Sequence, residues 1–232
     1  MRSMRPMRHW LFAALLSLLP FAGAQATLPV ALFKTAEIRA DSHDGLRQWQ
    51  AVLQRIEGEM PVYAACRRDP AACPSRGVQL WQELLVELEG APLQEQVTRV
   101  NRFVNQWRYR SDWAVYGKSD YWASPLEFFK NSGDCEDYAI AKYVSLKLLG
   151  VPDDQLRLAV VQDEIRNLAH AVLVVYKRDT AVVLDNLTNA VLPHDRVTNY
   201  TPYYTVNATT RWAHVPPSRI MMPAVGATAS TR

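Results

Sequence analysis

Acidic residues are missing from the start of this sequence. Residues 1–26 hold Arg2, Arg5 and Arg8 but no Asp or Glu, and those three arginines carry the whole formal charge of +3. Set aside, they leave 23 of the 26 Lys+Arg against 23 Asp+Glu, a neutral remainder. A general polyanion-binding function therefore loses its main support. No internal repeat and no Gly-rich phosphate loop is present, no stretch matches an EF-hand loop, and no His/Cys spacing suits zinc. Glycine is scarce, nine in 232 residues, and a chain 49% hydrophobic and 21% charged is neither disordered nor collagen-like. The length gives one or two domains, and one has enough chain for a real core.

What is present begins with an export address. Three arginines precede the apolar run Trp10–Pro20, and small residues follow in Ala22-Gly-Ala-Gln-Ala26. A basic start, a short apolar middle and an Ala-x-Ala end form a secretory signal peptide, cleaved after Ala26 or after Ala24. Pro20, Gly23, Gln25 and Pro29 interrupt the run before the ~20 residues that a membrane span needs. Export implies an oxidising compartment, so the three cysteines need sorting. Cys66 and Cys73 enclose a short polar loop and are either a local disulfide or two thiols. Cys135 is the odd one out, and a lone exported thiol is a liability unless buried or chemically employed.

The expected organisation is α+β: a helical half over about 41–150, then an antiparallel sheet half over about 155–215. Apolar residues recur at helical spacing in 41–59 (Leu46, Trp49, Val52, Leu53, Ile56), 77–89 (Leu80, Trp81, Leu84, Leu85, Leu88) and 92–107 (Leu93, Val97, Val100, Phe103, Val104, Trp107). Residues 108–123 form an aromatic loop. Ser124-Pro125-Leu-Glu127 marks a capped helix start, and a further helix runs from Asp134-Cys135 to Leu149. Strands are expected at 156–161, 168–176, 181–187, 196–206 and 211–215, with a loose tail beyond Pro216.

The chemistry gathers at Cys135. A thiol at a helix start sits at the positive end of the dipole, which favours the nucleophilic thiolate. A cysteine nucleophile needs a base, and the base an orienting group. His170 and Asp185 are isolated polar residues in adjacent apolar strands, which suggests that they satisfy each other. If Lys177–Thr180 form a four-residue turn, Tyr176 pairs with Ala181 and the two become diagonal neighbours on one face. A three-residue turn would separate them. His194 and His214 are alternative bases without a comparable acid partner. The acids Asp134, Glu136 and Asp137 disfavour thiolate formation; the residues alone leave helix capping and a hard divalent cation both open.

Gly133-Asp-Cys-Glu-Asp-Tyr138, Ala169-His-Ala-Val172 and Leu184-Asp-Asn-Leu187 together resemble the bacterial transglutaminase-like cysteine proteinases, in particular the LapG type of periplasmic adhesin-cleaving protease. The resemblance spans roughly residues 30–220. It implies a papain/transglutaminase-like core, with Cys135 as nucleophile, His170 as general base and acid, and Asp185 orienting it. It implies that Asp134 and Glu136 match calcium ligands, with Asp137 adjacent. It implies a large surface adhesin as substrate, cut in its N-terminal region to release cells from a biofilm, and inhibition by an inner-membrane receptor responding to cyclic-di-GMP. A proteinase domain over 27–222 would follow the signal peptide, with 223–232 as the tail. A transglutaminase with the same three residues, or a non-catalytic periplasmic binding module, are the alternatives.

Overall fold

The computed structural model describes residues 32–178 and 180–216. The expected signal peptide 1–26 and the expected tail 223–232 lie outside them. Helices α1 (Arg47–Arg68), α2 (Arg76–Glu87), α3 (Leu93–Val104), α4 (Asp112–Tyr116), α5 (Pro125–Asn131) and α6 (Cys135–Leu148) precede most of the strands. Strands β1 (Ala36–Ala40), β2 (Leu156–Asp163), β3 (Leu168–Lys177), β4 (Thr180–Leu184), β5 (Leu192–Pro193), β6 (Tyr200–Val206) and β7 (Arg211–Val215) form one antiparallel sheet, ordered β1-β7-β6-β2-β3-β4-β5. Helices-then-sheet is the expected α+β order.

The helical stripes build the main core. Trp49, Val52, Trp81, Leu85, Val97 and Val100 bury against Phe128, Phe129 and Tyr143, and against Leu156, Leu158, Leu173 and Leu184 on one face of the sheet. Alternation sends Ala159, Val161, Val172, Val174 and Val183 to the other face, which Leu32, Phe33 and Tyr200 cover. β3 therefore has no polar face to spare, as expected of a strand buried on both sides.

Several boundaries differ from the sequence expectation. α1 continues through Pro61 to Arg68, because Tyr63 and Cys66 bury on its far turns and Cys66 is disulfide-bonded to Cys73. Burial of Tyr63 and Cys66 together with the disulfide offsets the cost of a helical proline, about 3 kcal/mol. β1 escaped the sequence reading because it is a short edge strand with no buried residue, Ile38, its only large apolar side chain, being exposed. α4 breaks up the aromatic loop, and the strand expected from Arg196 starts only at Tyr200. At α5 the expected capping box is present: Ser124 accepts from the Glu127 N–H and Glu127 accepts from the Ser124 N–H. Among the described residues no helix is long and apolar enough to cross a membrane.

Candidate active site

The loop before α6 is fixed by Asp137. Its carboxylate is fully buried and accepts the backbone N–H of Ala123 (2.6 Å) and of Asp134 (3.1 Å). Gly133 is required here by space. A Cβ on it would lie 2.0 Å from Asp137 Oδ2. The Gly133 carbonyl accepts the Arg110 N–H at 2.8 Å, clamping 109–110 against the loop. Cys135 then opens α6, and its S–H donates to Glu136 Oε2 at 3.2 Å. Burial pushes the thiol well above its ordinary value and Glu136 adds to this, while the neighbouring Ala171 N–H acts the other way. The Ala171 contact sets Cys135 against β3 at the residue beside His170.

The turn between β3 and β4 has the register that puts His170 and Asp185 together: Tyr176 pairs with Ala181 and Leu173 with Leu184. β4 ends at Leu184, so Asp185 stands at the strand's end rather than within it, a correction to the expected 181–187 strand. His170 Nε2 lies 2.9 Å from Asp185 Oδ1, both side chains being buried. The Tyr200 hydroxyl donates to Asp185 Oδ2 at 2.5 Å, and the Leu187 N–H to Oδ1 at 3.0 Å. From α3, Asn105 Nδ2 holds the Asp185 carbonyl at 2.9 Å. Burial acts to raise the Asp185 pKa, but His170, Tyr200 and the Leu187 N–H outweigh it and hold the carboxyl below its ordinary value. An ionised carboxylate only accepts, so Nε2 carries a proton and Nδ1 is the nitrogen left to exchange one. The two alternative bases, His194 and His214, are occupied elsewhere. His194 Nδ1 accepts the Phe33 N–H, and His214 lies between Thr35 and Thr205.

Acids from two segments meet beside Cys135. One carboxylate oxygen each from Asp112, Asp120 and Glu136 fall within 4.8 Å of one another, as do those from Asp112, Asp134 and Asp137. Burial raises the pKa of Asp112 to about 6 and of Glu136 to about 9, and lifts Asp134 and Asp137 as well. Asp112 Oδ1 and Asp134 Oδ1 are buried with no hydrogen-bond partner. Crowded, desolvated carboxylates with spare oxygens either take up protons or bind a cation. An all-oxygen donor set suits calcium rather than zinc. Asp134 and Glu136 thus reach the cluster together with Asp112 and Asp120, which sequence reasoning missed. Asp137 is committed to the two N–H groups it accepts. Nothing local marks Asp112 or Asp120, since the folding of the 108–123 loop alone brings them to α6. Tyr200 was equally invisible.

Residues 57–219 match the family described as bacterial transglutaminase-like cysteine proteinase. The chain belongs to that family. Among solved structures it is similar to Legionella pneumophila LapG at 34% identity, covering 65% of this chain and 87% of that one, with a TM-score of 0.59. Calcium-bound LapG of the same organism matches at 37% identity over 60% of this chain and 78% of that one, TM-score 0.55. An EGTA-treated form matches at 34% over 65% and 84%, TM-score 0.59. A comparison with curated proteins found no match. The fold is that of this proteinase family, and the chain is a cysteine protease with a transglutaminase-like core.

Proposed function

We propose that this protein is a calcium-dependent periplasmic cysteine endopeptidase working through Cys135, His170 and Asp185. The observation that carries the reading is the buried His170–Asp185 hydrogen bond on the strand against which Cys135 is set. Asp185, held by Tyr200 and Leu187, fixes the imidazole so that Nδ1 is the basic nitrogen. His170 takes the Cys135 proton, the sulfur attacks a peptide carbonyl, and His170 returns the proton to the leaving amine. Water deprotonated by His170 then hydrolyses the thioester. The Cys135 N–H, free at the helix start, is the first oxyanion donor.

Asp134 and Glu136, with Asp112 and Asp120, are the residues that would hold Ca2+, and similarity to a calcium-bound relative supports this assignment. A bound cation supplies positive charge beside a thiol that its acidic neighbours otherwise oppose. The proteinase domain occupies 27–222, after a signal peptide that exports it to the periplasm. The substrate is a large surface adhesin, cut in its N-terminal region so that cells leave a biofilm. An inner-membrane receptor sequesters the protease when cyclic-di-GMP is bound on its cytoplasmic side.

The test incubates the host's largest exported adhesin with the protein, with and without EGTA. Shortening of the adhesin, stopped by EGTA, restored by Ca2+ and abolished in folded Cys135→Ala, is expected. Growth into crosslinked species would indicate a transglutaminase, and cleavage by Cys135→Ala would remove the nucleophile assignment.

A further inference from the structure

The clamp that positions Cys135 opens on its outer side into a groove of about 750 Å3, lined by Arg108, Tyr109, Arg110, Lys130, Asn131 and Ser132 among others. Its lining includes three cations and no carboxylate. Among the described residues none of the three makes an ion pair, whereas Arg39, Arg67, Arg76 and Arg99 each do. Asp112 follows this segment in sequence but does not line the groove, being 3% exposed within the acidic cluster. Arg110 is braced, its guanidinium donating to the carbonyls of Asn131 and Ala114 at 3.3 and 3.2 Å. Arg108 and Lys130 are exposed and make no side-chain hydrogen bond among the described residues. Unpaired cations converging on one concavity favour a negatively charged ligand there, and the Asp134 and Glu136 charges that reach Tyr109 act the other way until a bound cation offsets them.

The groove lies against the loop that carries the nucleophile. Asn131 and Ser132 immediately precede Gly133, and Tyr109 bridges to Gly133, two residues from Cys135. An extended chain advances about 3.3 Å per residue, so a peptide lying over Cys135 in this direction reaches the cations within a few residues. Tyr109, which lines the groove, is 56% exposed, aromatic surface that backbone and apolar side chains of such a peptide would cover.

We propose that this groove is a specificity subsite that reads an acidic segment of the polypeptide substrate on one side of the scissile bond. Arg108 and Lys130 supply the selecting charge, and Arg110 holds the groove's floor. The proposal rests on the proteinase reading and narrows it to a substrate class: a chain with clustered Asp or Glu a few residues from the cut. Exposed pairs of this kind are each worth about threefold, so two together multiply to about tenfold at low salt, and added salt weakens them.

The test measures kcat/KM of the full-length protein, supplied with Ca2+, on a fluorogenic peptide library whose flanks carry Glu, Gln or Lys. Wild type should favour Glu over Gln by about tenfold on one flank only. Arg108→Glu with Lys130→Glu should reverse that preference to Lys, with the fold checked by circular dichroism. Indifference of the wild type to flank charge, or a Glu preference surviving the double reversal, would overturn the subsite. If no peptide is hydrolysed, the proteinase reading fails. Fluorescence anisotropy of labelled Glu- and Gln-flanked peptides on Cys135→Ala protein then decides the groove separately. Tighter, salt-sensitive binding of the Glu peptide that the double reversal removes supports the subsite, and equal binding of the two peptides refutes it.

Discussion

Lys142 lies two turns beyond Cys135 on α6, fully buried, with no hydrogen-bond partner for its Nζ among the described residues. Its nearest aromatic face, Tyr138, is 5.9 Å from Nζ. Burial lowers its pKa from 10.5 to about 7, and the Asp185 charge only partly opposes this. An unfolded chain at pH 7 to 10.5 carries the proton that the folded lysine sheds. The group therefore destabilises the fold fully below about pH 7, and the penalty fades as pH rises to 10.5. Lys142→Met keeps an unbranched chain of similar reach and removes the ammonium. The variant should be more stable by a few kcal/mol at about pH 6, in line with replacements of buried ions by apolar residues. That gain should shrink by about 1.4 kcal/mol per pH unit above 7. Urea unfolding of both proteins at about pH 6, 7.5 and 9 measures it, because other titrating groups cancel in the difference. A gain that does not change with pH, or a loss at every pH, would refute the account by showing that the ammonium is satisfied in the fold.

Three further outcomes follow from the geometry. Gly133→Ala drives a Cβ against Asp137 and Gly77→Ala drives one against the Phe129 carbonyl, each at 2.0 Å. Both should cost about 2–4 kcal/mol in urea unfolding, but only Gly133→Ala should also cut the cleavage rate per folded molecule; stability within about 0.5 kcal/mol of wild type would contradict the close contacts. Replacing Cys66 and Cys73 by alanine opens a loop of sequence separation 7 and should lower stability by about 2 kcal/mol on thermal unfolding, with adhesin cleavage at low temperature unchanged. Asp185→Asn should lower kcat by about 10²–10⁴. Because Asp185 is held below its ordinary pKa, wild type should also lose, as pH falls through the acid range, a stability contribution that the variant never had; identical acid limbs would show that the carboxylate is not held ionised.

The parts legible in the sequence are those that depend on local periodicity. Helical stripes through Trp49, Trp81 and Val97 mark faces that must be buried, and the same residues fill the core. Alternation in Leu168–Lys177, with the turn length, sets the register that brings His170 to Asp185. Three arginines before any acid are a charge asymmetry read without reference to the fold, and the expected export address rests on the sequence alone. Features made by distant segments were not legible. Asp112 and Asp120 reach Glu136 only because the 108–123 loop folds onto α6, and Tyr200 reaches Asp185 from a strand on the other side of β2 and β3. The dipole argument at Cys135 points toward thiolate, yet burial and Glu136 push the thiol the other way. Periodicity thus determined which residues face inward and in what register. Tertiary packing decided the charges around the nucleophile, because electrostatics depends on distance and desolvation, and neither is a property of neighbours in sequence.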